Sequence, residues 1–170
     1  MYFYQKHHKM KNYILLLLLT SGLAWTQNDE ATINTLLTNW HKAAAEANYT
    51  NYFKVLTPDA IYIGTDATEN WNKTQFEAFA KPYFDKGKAW SFTALERHVY
   101  FSKDKKTAWF DELLNTQMKI CRGSGVLIKI KNKWMIQHYV LSMTIPNSTT
   151  DEVVKAKEVE ENALIDKLKR

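Results

Sequence analysis

The chain has 170 residues, of which 45% are hydrophobic and 14% aromatic; this excludes a disordered polypeptide and supplies one domain with a real core rather than two. Its formal charge is +5, from 23 Lys and Arg against 18 Asp and Glu, but residues 1–26 hold three Lys and no acid. Without that segment the balance is 20 against 18, or +2, which removes any charge-based argument for a nucleic-acid or membrane partner.

The first segment reads as an export signal. Lys6, Lys9 and Lys11 precede a short apolar core, Tyr13 to Leu19. Ala24-Trp25-Thr26 then puts small side chains at the two positions that matter for a cut before Gln27. The expectation is a signal peptide over residues 1–26 and an exported chain, periplasmic or secreted, with no membrane association after its removal. The competing reading is an uncleaved anchor, although the apolar run is short for a spanning helix. Met10 is an alternative start. Cys121 is the single cysteine, so no intrachain disulfide can form; it reads as a small strand residue.

An amphipathic helix follows, with Ile33, Leu36, Leu37, Trp40, Ala44 and Ala47 at helical spacing. Tyr49 to Val55 suggests a second, short helix ended by Thr57-Pro58-Asp59. Ala60 to Gly64 reads as a strand, and residues 65–71 as a polar connection. Asn72 with Gln75 three positions on predicts a capping box for a helix whose apolar face is Phe76, Phe79, Ala80, Tyr83 and Phe84. Pro82 is expected to kink or interrupt it, and Gly87 to stop it.

Four strands come next: Trp90 to Ser102, Thr107 to Thr116, Cys121 to Lys131 and Trp134 to Thr144, the last two joined by a tight Asn132-Lys133 turn. Residues 29–147 form the expected domain, and 148–170 a charged helical tail with Thr149 and Glu152 as a capping pair. Helices followed by an antiparallel run is an α+β order.

Charged residues interrupt these strands where apolar ones are usual. Taking alternate residues to share a face, one consistent inner set is Arg97, Glu112, Arg122 and His138. A bulge would shift a strand by one residue and bring in Asp111 in place of Glu112. Two readings stay open. Glu112 or Asp111, with His138, could act as a general base, with Arg97 and Arg122 holding an anionic substrate. Alternatively, an Arg–Glu network fixes strand register, with His138 as a hydrogen-bonded core residue. No Gly-rich phosphate loop, nucleophile elbow or zinc-ligand spacing is present, so neither a cofactor nor a metal is expected.

Ile63-Gly64-Thr65-Asp66, Glu69, Trp71, Lys81-Pro82-Tyr83-Phe84, Ala108 to Glu112, Arg122 to Leu127, and His138 to Ser142 with Ile145-Pro146-Asn147 together resemble the SnoaL-like branch of the nuclear-transport-factor-two-like superfamily. The resemblance spans about Ile33 to Asn147. It implies a cone, with helices on the concave side of a strongly curved antiparallel sheet, a pocket at the wide end, and homodimers formed through the outer sheet face. Tyr62, Asp66 and Trp71 would then border the cone mouth as ligand-binding residues. For function it implies less, because the superfamily spans isomerases, cyclases, hydrolases, dehydratases and transport factors. The expectations are a small-ligand binder, an acid–base enzyme of isomerase, hydrolase or dehydratase type, or a dimeric interaction module with a vestigial pocket.

Overall fold

The computed structural model describes residues 29–169, and the expected leader lies outside the described residues. Helix α1 covers residues 29–45 and buries Ile33, Leu37, Trp40 and Ala44, the stripe that its spacing predicts. Ala47, at φ 51°, turns the chain, and the Asn48 side chain caps α2 (Tyr49–Phe53) by accepting from the Asn51 N–H at 3.0 Å. Strand β1 (Leu56–Ile63) begins earlier than the Pro58 signal suggests, because a register irregularity between Leu56 and Ile61 accommodates the proline. The short strand β2 (Asn70–Asn72) pairs back on β1.

Helix α3 (Lys73–Asp85) has the expected capping box: Asn72 accepts from the Gln75 N–H, and Gln75 accepts from the Asn72 N–H, each at 3.0 Å. The helix runs on through Pro82 rather than stopping there. Pro82 is exposed, so the carbonyl it leaves unpaired one turn back can be hydrated. Phe76, Ala80 and Phe84 are buried, whereas Phe79 and Tyr83 are exposed.

Strands β3 (Phe92–Phe101), β4 (Thr107–Thr116), β5 (Lys119–Ile130) and β6 (Lys133–Met143) complete a six-stranded sheet of order β2-β1-β6-β5-β4-β3. Every pairing is antiparallel except β1–β6, which is parallel. The β5–β6 turn sits one residue earlier than expected. Lys131 (φ 47°) and Asn132 (φ 63°) supply the paired positive φ values of a two-residue hairpin.

Irregularities between Ala94 and Glu96 and between Val126 and Leu127 add to the bending of the sheet. The helices cover its concave face. Trp40 of α1 packs edge-on to Tyr139 at 4.8 Å between ring centroids, and Phe76 of α3 stacks on Tyr62 at 3.8 Å. Helix α4 (Thr150–Leu168) follows a 3-10 turn (Asn147–Thr149) and has no buried side chain. The Thr149 hydroxyl donates back to the Pro146 carbonyl instead of capping α4.

Candidate functional site

Register decides which charges face inward. Arg97 pairs with Glu112, Glu112 with Gly123 and Gly123 with Leu141, so these four form one inner row across β3, β4, β5 and β6. The Glu112 side chain is sealed from solvent. His41 Nε2 lies 2.8 Å from its Oε1, and the Tyr139 hydroxyl donates to the same oxygen at 3.2 Å. Arg97 holds Oε2, with Nε at 2.8 Å and Nη2 at 2.7 Å. The network then passes to α1, where Arg97 Nη1 donates to the Asn34 carbonyl at 3.1 Å and to Thr38 Oγ1 at 3.2 Å.

Burial by itself would raise the pKa of Glu112. The His41 hydrogen bond and charge, then the Arg97 charge and hydrogen bond, outweigh burial and hold the carboxyl below its ordinary range. An ionised carboxylate only accepts, so the His41 Nε2 carries the proton of that bond. Tyr139 is pushed well above the ordinary phenol range, first by burial and next by the Glu112 charge, and stays a neutral donor. Both carboxylate oxygens are therefore occupied by donors. The arrangement clamps α1 to the sheet and leaves no accessible lone pair for proton abstraction.

Three residues of the expected inner group lie on the outer face. Arg122 is exposed, because Glu112 faces Gly123 and the inner positions of β5 are Cys121, Gly123, Gly125 and Leu127. Two of those are glycines, which carry no apolar signal. His138 is displaced by a bulge: Val126 pairs with His138 but Leu127 with Ile136, so Gln137 is extra and the inner residues change from Trp134 and Ile136 to Tyr139 and Leu141. Asp111 also points outward, 3.1 Å from His98, which in turn lies 3.1 Å from Glu96. The Asp111 hydrogen bond raises the His98 pKa.

His41 is the partner that strand reading missed. Its only sequence signal is its place on the buried stripe of α1, four residues after Leu37.

A separate cavity of about 150 Å³ lies between α3, the β1–β2 turn and the β4–β5 turn. Its walls are aromatic: Tyr62, Trp71, Phe76, Phe79, Trp90 and Phe92, with Met118 and Leu141. Trp71 stacks on Phe79 at 4.4 Å and on Phe76 at 5.7 Å. Thr65, Glu69 and Gln117 add polar groups, while Glu112, Arg97, His41 and Tyr139 are not among the lining residues. Tyr62 and Trp71, the two aromatic residues placed by the resemblance at the cone mouth, line this cavity, and Trp90 joins them.

Asp66 does not line the cavity. Its carboxylate accepts from the Thr68 N–H at 2.8 Å and the Thr68 hydroxyl at 2.6 Å, bonds that lower its pKa and shape the turn. That turn delivers Glu69, whose Oε2 accepts from the Asp66 N–H at 3.2 Å. Gly64 makes room beneath it, because a Cβ there would run into the Glu69 carboxylate and displace it. Tyr62 is pushed above the ordinary phenol range, first by burial and next by the Glu69 charge, and stays protonated. Among the described residues no group of three His, Cys, Asp or Glu converges on a metal position.

The model of a SnoaL-like domain matches residues 33–146. Among solved structures, the chain is similar to an NTF2-like protein of unknown function from Pseudomonas putida KT2440, with a TM-score of 0.61, 13% identity, and coverage of 72% of this chain and 92% of that one. It is also similar to an NTF2-like protein from Cytophaga hutchinsonii, with a TM-score of 0.57, 12% identity, and coverage of 68% and 98%. At such identities the likeness is one of fold. No curated protein matches the sequence.

Proposed function

The chain belongs to the SnoaL-like domain family of the NTF2-like superfamily, and from that fold we propose that it binds a small organic ligand in the aromatic cavity, without using Glu112 as a catalytic base. The observation that carries this reading is the separation of the two sites. The buried carboxylate is saturated by His41, Tyr139 and Arg97, and it lines neither the ring-built cavity nor the open pocket that His41 and Arg97 border between α1 and β3. Its volume of about 150 Å³ suits a single ring or a branched head group. Tyr62, Trp71 and Glu69 are the contacts proposed for it. An acid–base enzyme using Glu112 or Asp111 would need the carboxylate presented to the cavity, and neither residue lines it.

Thermal-shift screening of the purified chain against small metabolites tests the proposal. A ligand present at a hundredfold its Kd stabilises the folded state by about 2.7 kcal/mol, which raises Tm by several degrees. Met118→Trp, at a half-buried lining position, fills the cavity. It is expected to abolish the shift while leaving the ligand-free Tm nearly unchanged. Equal shifts in the two proteins would place binding elsewhere and end the proposal.

We further propose that a second copy of the chain covers the outer sheet face, as the family resemblance implies. Tyr100 and Trp109 stack there at 5.9 Å with 44% and 46% of their surface exposed, and Ile120 is 47% exposed. Light scattering of the wild type should give a dimer and that of Trp109→Glu a monomer. A wild type that stays monomeric at high concentration would refute this.

A further inference from the structure

We infer that the ligand of the cavity is an organic cation, a compact primary or quaternary amine whose charged head meets Glu69 among the aromatic rings. The inference rests on the ligand-binding reading above and adds the charge of what binds. Among the described residues Glu69 is the only charged one in the cavity lining, which holds no Lys, Arg or His. No Lys, Arg or His among the described residues forms an ion pair with Glu69. Its contrast with Glu112 is direct: one carboxylate is buried and neutralised from all sides, and the other belongs to a half-buried residue that lines the cavity and accepts one backbone N–H.

The surroundings reinforce the sign. Aromatic rings carry negative potential on their faces, and Trp is the strongest of them as a partner for a cation. Trp71 and Trp90 both line the cavity. Asp66, held ionised by Thr68, adds a second negative charge on the same turn. The Glu69 side chain packs over Gly64, where the nearest atoms to an added Cβ are its own. The arginines expected to hold an anion are elsewhere: Arg97 is bound to Glu112, and Arg122 is on the outer face. A carboxylate or phosphate ligand would meet uncompensated repulsion here, whereas an ammonium would find its counter-ion and a ring-lined pocket for its apolar body.

The test is a titration of the full chain with benzylammonium, benzyl alcohol and benzoate, which share one ring and differ in charge, followed by calorimetry and by tryptophan fluorescence. Benzylammonium should bind about tenfold or more tightly than benzyl alcohol, with benzoate weakest. Raising the salt concentration should narrow that gap. Glu69→Gln keeps the acceptor for the Asp66 N–H; it should weaken benzylammonium about tenfold and leave benzyl alcohol within about twofold. Benzyl alcohol binding as well as benzylammonium overturns the charge inference and leaves the ligand-binding reading standing. No binding by any probe at millimolar concentration overturns both. A cation preference that survives in Glu69→Gln also overturns the inference. Should that variant not fold, the charge series on the wild type decides the question.

Discussion

Glu112→Gln is expected to destabilise the domain by about 3–5 kcal/mol at neutral pH, measured by urea denaturation. The substitution keeps the side-chain volume but removes the charge that His41 and Arg97 surround at 2.7–2.8 Å. Two buried cationic or polar partners are then left uncompensated, and the amide presents donors where only acceptors fit. The effect should be non-additive with Arg97→Met, because both changes break one network. A loss below about 1 kcal/mol would mean that the cluster is not structural and would reopen Glu112 as a functional group.

The same carboxylate sets an acid limit on stability. Its folded pKa lies below its unfolded value, so the unfolded chain binds the proton more readily. The contribution is complete above the unfolded value of about 4.3 and is lost as pH falls through the lower folded value. The wild type should therefore lose stability steeply below that point, and Glu112→Gln should show a flatter curve over the same range.

Gly123→Ala is the second large effect. A Cβ at Gly123 would run into the Tyr139 hydroxyl and lie 2.9 Å from Glu112 Oε1. To admit it, the Tyr139–Glu112 hydrogen bond must open and the carboxylate must shift off Arg97 and His41. Overpacking and the lost bond to a charged group together should cost about 2–5 kcal/mol. Adding Tyr139→Phe removes the colliding oxygen, so the double variant should be more stable than Gly123→Ala alone. Failure of that rescue would show that the glycine serves some purpose other than making room for the network. Gly125→Ala should be comparably severe, because its Cβ would lie 2.5 Å from the His138 carbonyl and 2.7 Å from the Phe110 ring, and the carbonyl cannot rotate away.

Much of the fold was legible because it depends on local pattern. The stripe Ile33, Leu37, Trp40 and Ala44, the Asn72–Gln75 box and the four long strands need no knowledge of distant residues. The site was half legible. Arg97 and Glu112 pair as strand alternation predicts, since β3 and β4 are regular between Glu96 and Phe101. Arg122 and His138 were misplaced by two features that alternation cannot reveal: a pair of inward glycines on β5 and one extra residue, Gln137, on β6. His41 stands 71 residues from Glu112, and a helix stripe does not announce which strand it will meet.

The sequence alone determined the longer helices and strands, though not the short strand β2 or the start of β1, together with the α+β order and the fact that charges would have to be paired wherever the sheet turned them inward, because periodicity and the cost of a buried charge act along the chain. Only the tertiary structure decided which charges those were. A single bulge reverses the faces of a strand, so His138 and Tyr139 exchanged places, and packing against α1 then supplied His41. It also separated the neutralised Glu112 from Glu69, which sits beside Trp71 and Tyr62 in the cavity. Depth and neighbours, not residue type, distinguish a carboxylate that holds a sheet together from one that faces a pocket.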